Sequence, residues 1–331
     1  MDCELPNSLP ALSYYRRILS AYLLGGNSHL TFWHENPAQN PNATAGDLGE
    51  YYMLFTEKAD YQGAYDDNGI PLLDYHGNVG PQYNPIAIAQ YGLGNYNLYN
   101  RTADPHRRRK FFLAANWLCS HLEQNDQRLS VWNHHFDWDY RETLKAPWYS
   151  ALAQGQGISV LVRAHKESGE SRYIEAARMV FASFHREIRD GGVAVTDESG
   201  DLWFEEYIVS PPTHILNGFI WSSWGVYDYF LATKDDSAHK LFSRAVRTLL
   251  HNLERYDLGF WSLYEQSGTR LPMVASPFYH QLHIVQLRVM HCLTGEAGFA
   301  RVADLWESYN RSRSKRALAL CYKTAFKLCC Y

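Results

Sequence analysis

The sequence carries little charge and only a small surplus of one sign. Charged residues make up 20% of its 331 residues, and the formal net charge is -4. Nucleic-acid-binding proteins usually carry a basic surplus, so this class is disfavoured. The apolar stretch 18–24 is too short to span a bilayer and lacks a small-residue cleavage pattern, and no other window is long enough. We therefore expect a soluble, cytoplasmic protein with no nucleic-acid partner and no membrane span.

Motifs for metals and cofactors are also missing. The chain has no GxGxxG, phosphate loop, Gly-x-Ser-x-Gly, HExxH, CxxC or EF-hand spacing. His134, His135 and Asp137 lie close in sequence, but neighbouring side chains of a strand diverge. We expect no metal site and no cofactor. The cysteines show no ligand spacing and favour a reducing compartment. They are Cys3, Cys119, Cys292, Cys321, Cys329 and Cys330.

Aromatic side chains, in contrast, are abundant. They make up 15% of the chain, with 24 Tyr and 10 Trp. Carbohydrate clefts use aromatic faces and phenolic hydroxyls heavily. A core or interface rich in tyrosine would explain the same composition, so the count alone leaves both interpretations open.

A weak repeat of roughly 60 to 67 residues organises most of the chain. Each unit opens with a short loop that contains proline, followed by an apolar helix, a polar turn and an amphipathic helix. Asp104 and Pro105 predict one helix start, and Gly169 predicts a helix end. The four loops are residues 80–83, 146–149, 210–213 and 276–279.

The second helix of each unit is apolar on one face only. In the clearest case, steps of three and four place six apolar residues on one side. The stripes are Phe111, Ala114, Ala115 and Leu118; Tyr173, Ala176, Ala177, Val180, Phe181 and Phe184; Leu241, Ala245 and Leu249; and Phe299, Val302, Ala303 and Trp306. Such one-sided helices are expected to lie outside, against a buried layer.

The first helix of each unit has few charges, and residues 215–230 carry only Asp228. A helix that is apolar almost all round is buried. Inner and outer helices repeated around an axis predict a mainly α fold, an incomplete α/α toroid of about four helical hairpins. An open solenoid of hairpins would show a similar pattern, but the inner helices expose so little polar surface that we favour the toroid.

Short β-hairpins are predicted before the inner helices, at residues 193–207 and more weakly at 129–138 and 259–264. They should gather at one rim and surround a concave site. We divide the chain into an irregular, β-containing segment at 1–79, packed on a catalytic domain at 80–331.

The densest group of reactive side chains is expected on this rim. Glu205 and Glu206 are adjacent, so only one of them can face the site if they lie in a strand. Tyr264 ends the last predicted hairpin, although packing alone could explain it. Tyr279 and His280 start the last inner helix and could simply cap it. His283 follows one turn later, and a satisfied hydrogen-bonding pair with His280 is the commoner arrangement.

Residues 149–163 (YSALAQGQGISVLVR) resemble the signature of the C-terminal domain of the glucuronyl 5-epimerases of heparan sulfate synthesis. The order of Glu205-Glu-Tyr207, Leu216-Asn-Gly-Phe219, Tyr264 and Tyr279-His280 with His283 also resembles that family. Residues 80–93, with Gly-Pro-Gln and Ile-Ala-Gln-Tyr-Gly-Leu, are similar to a stretch further upstream in it. The resemblance covers about residues 80 to 315, and the short front portion points to a compact, bacterial-type version.

The resemblance implies an α/α toroid that inverts carbon 5 of D-glucuronic acid in heparosan-like anionic polysaccharides, giving L-iduronic acid, and a possible homodimer. A uronan lyase on the same fold and a non-catalytic uronan-binding protein are the alternatives. The resemblance assigns catalysis to Glu206, Tyr207, Tyr264 and Tyr279. It assigns substrate binding, or support of the cleft, to Tyr83, Gln90, Tyr149, Gln154, Gln156, Arg163, Trp203, Asn217, His280 and His283.

Two departures from the family pattern concern arginines. The family places one shortly after the tyrosine that matches Tyr264 and one shortly before the tyrosine that matches Tyr279, and neither is present here. A substrate carboxylate is therefore expected to be held differently. For the reaction itself, we predict that Glu206 and Tyr279 flank carbon 5 from opposite faces, with Tyr207 and Tyr264 stabilising the carboxylate or relaying protons.

Overall fold

The computed structural model describes residues 20, 32, 36–75, 77 and 79–330, with the side chains up to residue 326. Three sequence predictions therefore lie outside the described residues: most of the stretch 18–24, most of the first half of the segment 1–79, and the side chains of Cys3, Cys329 and Cys330. Cys119, Cys292 and Cys321 are free thiols.

Long helices dominate the fold and follow one another in antiparallel pairs. Short 3-10 turns at Ala182–His185, Ile188–Asp190 and Leu253–Tyr256 extend or follow the second helices of two pairs. The helices are α1 Thr56–Ala59, α2 Pro85–Thr102, α3 Pro105–Ser120, α4 Ala151–Ser168, α5 Ser171–Phe181, α6 Leu216–Thr233, α7 Asp236–Asn252, α8 Pro277–Thr294, α9 Ala297–Arg311 and α10 Arg313–Cys330.

Helices α2, α4, α6 and α8 form an inner layer, and α3, α5, α7 and α9 lie outside it. Neighbouring inner helices pack on one another, and each outer helix packs on its own inner partner. The predicted stripes of the outer helices are buried, whereas their other faces are exposed. The prediction of an α/α toroid of four helical hairpins is confirmed.

The helix ends follow the predicted capping. The Asp104 carboxylate accepts a hydrogen bond from the His106 amide, with Pro105 in the first turn of α3. Gly169 ends α4 in the left-handed region, at φ 74°. Ser150 and Ser276 cap α4 and α8 through their hydroxyls. The caps at Ser150 and Ser276 fix where inner helices α4 and α8 begin, which is where the site lies.

Residues 36–60 link the first and last inner helices. The Tyr51 amide donates to Asn97 Oδ1 of α2 at 2.7 Å, and Gln39 Nε2 donates to Cys292 Sγ of α8 at 3.4 Å. Phe55 packs against Trp221 of α6, with the ring centroids 6.2 Å apart. The irregular segment thus contributes to the core of the ring.

Short antiparallel strands stand at the N-terminal ends of the inner helices. β1, β2 and β3 form one sheet, and the others pair as β4–β5, β6–β9, β7–β8 and β10–β11. They are β1 Ala64–Tyr65, β2 Pro71–Asp74, β3 Pro81–Gln82, β4 Glu123–Gln124, β5 Ser130–Val131, β6 Asn133–His134, β7 Trp138–Asp139, β8 Thr143–Leu144, β9 Trp148–Tyr149, β10 Ala194–Thr196 and β11 Leu202–Phe204.

The hairpin at 193–207 is confirmed as β10 and β11, but the two weaker hairpin predictions need correction. The strands within 129–138 pair with partners elsewhere in the chain, since β6 pairs with β9. Residues 259–264 form only isolated bridges, including Leu263 with Val274. Alternation of residue types along the chain predicts a strand, but it does not predict which other strand pairs with it.

The first sheet contains strands from both sides of residue 80, because β2 pairs with β3. The division at 79 and 80 stays a prediction. Within the described residues, none of the helices combines the length and the apolarity that a bilayer span requires.

Candidate active site

A cleft opens at the rim, above the N-terminal ends of all four inner helices. Its volume is about 280 Å³. Pockets of this size accept small ligands or part of a polymer. Its polar lining includes Lys58, Asn84, Glu206, Asn217 and Tyr279. Its aromatic walls are Tyr75, Phe136, Trp138, Trp148, Tyr207, Trp221 and Phe278.

Glu206 is the carboxyl group of this cleft, and it is 6% exposed. Burial raises its pKa to about 8, against a weaker opposing effect of a hydrogen bond from Asn217. That bond joins Asn217 Nδ2 to Glu206 Oε2 at 3.2 Å. Gly218 makes room for the carboxyl group, since a Cβ there would lie 2.3 Å from Oε2. The Asn217-Gly218 pair at the start of α6 therefore positions Glu206.

Glu205 points away from the cleft, as predicted for adjacent residues at a strand end. Its Oε2 accepts the amides of Thr213 and His214 at 3.3 and 3.1 Å. Its Oε1 contacts His214 Nδ1 at 2.6 Å. The two neighbouring glutamates have different tasks, because Glu205 fixes the loop before α6 and Glu206 faces the cleft.

Three phenols surround Glu206. Tyr207 and Tyr279 line the cleft. Tyr264 lies behind, with its ring centroid 4.8 Å from that of Tyr279. Burial and the charge of Glu206 raise the pKa of all three. A hydrogen bond between Tyr264 and Tyr279 raises the pKa of the former and opposes the rise in the latter. Of the two phenols, Tyr279 is therefore the one whose anion this hydrogen bond favours.

The rim hairpin β7–β8 is tied to the segment after Tyr264. Tyr140 donates a hydrogen bond to Glu265, and its ring packs on Tyr207 with centroids 4.5 Å apart. Arg141 Nη2 lies 2.8 Å from Glu265 Oε1. Glu265 therefore anchors this hairpin over the cleft.

The predicted residues of the Gln-Gly-Gln motif lie beneath the cleft, fully buried. Gln154 Oε1 accepts the Trp132 amide at 3.1 Å, which ties α4 to the rim. Gln90 Nε2 donates to Gln156 Oε1 at 3.0 Å, which joins α2 to α4. Between the two glutamines, Gly155 allows α6 to approach, since a Cβ there would lie 2.7 Å from Ser222 Cα.

Arg163 is buried deep in the ring and forms an ion pair with Asp228, with Nη1 2.6 Å from Oδ2. Its Nε donates to the Gly49 carbonyl at 2.9 Å. Tyr52 donates to Asp228 Oδ1 at 2.6 Å. Burial disfavours the charge of Arg163, but Asp228 keeps its pKa above the ordinary value. These contacts of Arg163 all join parts of the helical ring, so the side chain stabilises the fold beneath the cleft.

Three more predicted binding residues stand outside the cleft lining. Tyr83 is 39% exposed and donates to Asp66 Oδ2 at 2.8 Å. Tyr149 donates to the Gly191 carbonyl at 2.8 Å. Trp203 is buried, and its Nε1 donates to Asp197 Oδ2 at 2.9 Å. The structure does not bring these three side chains together with Glu206.

His280 and His283 share one partner below the site. Their Nδ1 atoms lie 2.8 and 3.1 Å from Ser262 Oγ. His280 Nε2 also lies 3.1 Å from the Trp306 carbonyl. Burial lowers the pKa of both imidazoles, so they are neutral. Through Ser262 they hold the segment that leads to Tyr264, but the expected satisfied pair is incomplete, because His283 Nε2 is buried without a hydrogen-bond partner among the described residues.

Sequence reasoning missed several side chains of the cleft. Trp148 and Phe278 directly precede Tyr149 and Tyr279. Both lie in the proline loops 146–149 and 276–279, so the sequence did offer a signal for them. Trp148 stacks on His134 with centroids 3.9 Å apart and lines the cleft. Lys58 had no sequence signal, because it is a single lysine in an irregular segment.

The fold is shared with known carbohydrate-active proteins. Cellobiose 2-epimerase of Spirochaeta thermophila superposes with a TM-score of 0.50 at 11% identity, covering 92% of this chain and 86% of its own. A family 76 glycoside hydrolase from a bovine Bacteroides thetaiotaomicron strain also gives 0.50, at 13% identity over 72% of this chain and 50% of its own. At such low identity these likenesses concern the fold alone.

Sequence comparison gives a more specific result. An uncharacterized protein of Methanocaldococcus jannaschii is 24% identical over 62% of this chain and 68% of its own. A D-glucuronyl C5-epimerase of Caenorhabditis elegans is 32% identical over 60% of this chain, which spans 34% of the length of that relative. Residues 125–308, more than half of the chain, match the family described as D-glucuronyl C5-epimerase C-terminus. The chain therefore belongs to the D-glucuronyl C5-epimerase C-terminus family.

Proposed function

We propose that this protein inverts carbon 5 of D-glucuronic acid residues in a heparosan-like polysaccharide, giving L-iduronic acid. The observation that carries the proposal is a buried carboxyl group, Glu206, lining the same cleft as the phenol of Tyr279.

Inversion at carbon 5 removes a proton from one face of the sugar and returns one to the other. It therefore needs two acid/base groups, one for each face. The hydrogen lies next to a carboxylate, so the carbanion forms only where its charge is stabilised. Proton transfer alone completes the reaction, and the proposed mechanism uses no metal or redox cofactor.

Glu206 suits the role of the base. A pKa of about 8 makes its anion more basic than an ordinary carboxylate. Near neutral pH the group is largely protonated and uncharged, so an anionic sugar can enter without strong repulsion. The Asn217 amide holds one oxygen in place. In the proposed step, ionised Glu206 takes the proton from carbon 5.

Tyr279 suits the role of the acid on the other face. Its raised pKa keeps it a neutral donor at physiological pH. When it gives its proton to carbon 5, the hydrogen bond from Tyr264 stabilises the resulting phenolate. Tyr264 then serves as the route by which Tyr279 regains a proton. Tyr207, beside both groups, would donate to the substrate carboxylate.

Two features support an anionic sugar polymer as the substrate. Aromatic walls such as Trp148 and Phe278 provide faces on which pyranose rings stack. The N-terminal ends of four inner helices lie under the cleft, and their dipoles favour negative charge there. Heparosan is the polymer that the family resemblance suggests.

The test is incubation with heparosan in deuterated water, with carbon 5 read by NMR for deuterium and for configuration. We expect deuterium at carbon 5 and L-iduronate in the product. A lyase would form the same carbanion but expel the group on carbon 4, giving an unsaturated uronate that absorbs in the ultraviolet. Binding without any isotope exchange would contradict an enzymatic role.

A further inference from the structure

One wall of the cleft is a continuous group of aromatic side chains, which we call the aromatic belt. Four of its members belong to the rim strands or lie within two residues of them, and the fifth is the phenol next to Glu206. All of them line the cleft. They are Tyr75, Phe136, Trp138, Trp148 and Tyr207.

The rings of the aromatic belt contact one another in order. The Trp148 centroid lies 5.8 Å from that of Tyr207 and 6.0 Å from that of Phe136. Phe136 packs on Tyr75 at 4.5 Å, and Tyr75 packs on Trp138 at 5.7 Å. A hydrogen bond of the Trp138 side chain with Tyr207 opposes the rise in the pKa of that phenol. The contacts therefore return to Tyr207, so the belt is continuous with the proposed reaction site.

Trp148 is held as a platform. The His134 imidazole covers one face of its ring, with the centroids 3.9 Å apart and the planes at 5°. Trp148 Nε1 donates to the Phe136 carbonyl at 2.8 Å, which fixes the orientation of the indole. The side chain is nevertheless partly exposed and lines the cleft. Because His134 occupies one face, a sugar ring can stack only on the other.

Trp138 is held by the rim hairpin β7–β8. In the same hairpin, Tyr140 donates a hydrogen bond to Glu265, and Arg141 pairs with Glu265 at 2.8 Å. These contacts tie the hairpin to a distant part of the chain, while Trp138 stays partly exposed. Both tryptophans are therefore fixed before a ligand arrives, so stacking on them costs little conformational entropy.

The chemistry of the aromatic belt selects the kind of sugar that it binds. An aromatic face favours the C–H face of a pyranose, whereas a carboxylate placed on it would lose hydration without gaining a counter-charge. The uronic acid itself has to present carbon 5 to Glu206 and Tyr279. The sugar on the belt is therefore a neutral residue of the chain, which in a heparosan-like polymer is the N-acetylated amino sugar.

We propose that Trp148 and Trp138 bind the neutral sugar next to the reacting uronic acid, by stacking on its C–H faces. This inference rests on the proposed function for the identity of the polymer. Its binding part stands alone, because stacking can be measured without turnover.

The binding test measures the affinity for a heparosan hexasaccharide by calorimetry. Trp148→Ala and Trp138→Ala should each weaken binding by about tenfold, because each removes a stacking face. Trp148→Phe and Trp138→Phe keep an aromatic face and should retain most of the affinity. Tyr99→Ala is the control, since this partly exposed tyrosine lies in the last turn of α2, at the opposite end of that helix from the cleft.

Saturation-transfer NMR identifies the stacked sugar without an alanine variant. In protein that is deuterated except at tryptophan, the saturation lost on Trp148→Phe comes from the Trp148 ring. We expect this loss mainly on the ring protons of the amino sugar. A loss that falls mainly on glucuronic acid, or no loss, would overturn the assignment of the neutral sugar.

The outcomes separate the two proposals. An unchanged affinity of the folded alanine variants would overturn the role of Trp148 and Trp138, whether or not the protein is an epimerase. Weakened binding in these variants, without isotope exchange at carbon 5 by the wild type, would support the stacking site and contradict the epimerase function. If the wild type does not bind the hexasaccharide, both proposals are wrong.

Discussion

Two of the buried ionisable sites in the ring, the Arg163–Asp228 pair and Glu206, have different surroundings. Toward the C-terminal ends of the inner helices, Arg163 and Asp228 neutralise each other, and Tyr52 and Gly49 complete their hydrogen bonds. At the rim, Glu206 has one hydrogen bond, from Asn217 at 3.2 Å, and its pKa is raised to about 8. Removing one partner of a fully paired buried group destabilises the fold, whereas a buried group with few partners is ready to exchange a proton.

The largest expected effect concerns the satisfied pair. Asp228→Asn leaves the Arg163 guanidinium buried without its counter-charge, so it should lower the free energy of unfolding by roughly 3–5 kcal/mol. Urea unfolding measures this. Asp304→Asn breaks a surface ion pair with Arg288 at 3.2 Å and should cost less than about 1 kcal/mol. Equal losses of stability in the two variants would contradict the structural role of the Arg163–Asp228 pair.

The next effect concerns catalysis at the rim. Glu206→Gln keeps the shape of the side chain but removes the base, so we expect deuterium incorporation at carbon 5 to fall by about 1,000-fold. NMR of heparosan in deuterated water measures the rate. Glu198→Gln changes an exposed glutamate in the β10–β11 turn and should leave the rate unchanged. Full activity of Glu206→Gln would exclude this carboxyl group as the base.

Glu206→Gln should make the fold more stable, although it lowers the activity. The ordinary pKa of 4.5 applies to the unfolded chain, while Glu206 titrates at about 8 when folded. Below pH 4.5 both states are protonated, and between pH 4.5 and 8 only the unfolded state loses its proton, so rising pH favours unfolding. Glu206→Gln should therefore stabilise the fold by an amount that grows across this window to roughly 4 kcal/mol. Thermal unfolding at pH 4.5 and pH 8 measures it, and a gain independent of pH would contradict the raised pKa.

The smallest effect concerns Tyr264, through which Tyr279 is proposed to regain its proton. Tyr264→Phe removes the hydroxyl whose hydrogen bond with Tyr279 favours the Tyr279 phenolate, so that phenolate loses its support. We expect about a tenfold fall in the exchange rate, with heparosan binding unchanged. Isotope exchange and calorimetry together measure the two quantities. A loss of binding with an unchanged rate would place Tyr264 in substrate recognition.

Much of the fold could be predicted because helical periodicity is a local signal. The stripe that includes Tyr173 and Phe181 and the apolar α6 define outer and inner layers without further information. Strand partners could not be predicted, since β6 pairs with β9 across the rim hairpin. Pairing over such distances depends on the tertiary fold, which alternation along the sequence does not encode.

The site was predicted in part for similar reasons. Glu206 and Tyr279 followed from the family resemblance, and alternation separated Glu206 from Glu205. The register of β9, unknown from the sequence, places Trp148 in the cleft wall and directs Tyr149 to Gly191. Lys58 needed the structure, because no local pattern links residues 36–60 to the rim.

The most direct test of a two-sided site is the Tyr279→Phe variant with heparosan in deuterated water. If Glu206 and Tyr279 serve opposite faces, the variant forms no L-iduronate, while Glu206 still exchanges the carbon 5 hydrogen for deuterium with retention of configuration and the variant still binds the polymer. Formation of L-iduronate with full deuterium incorporation would contradict the assignment of Tyr279.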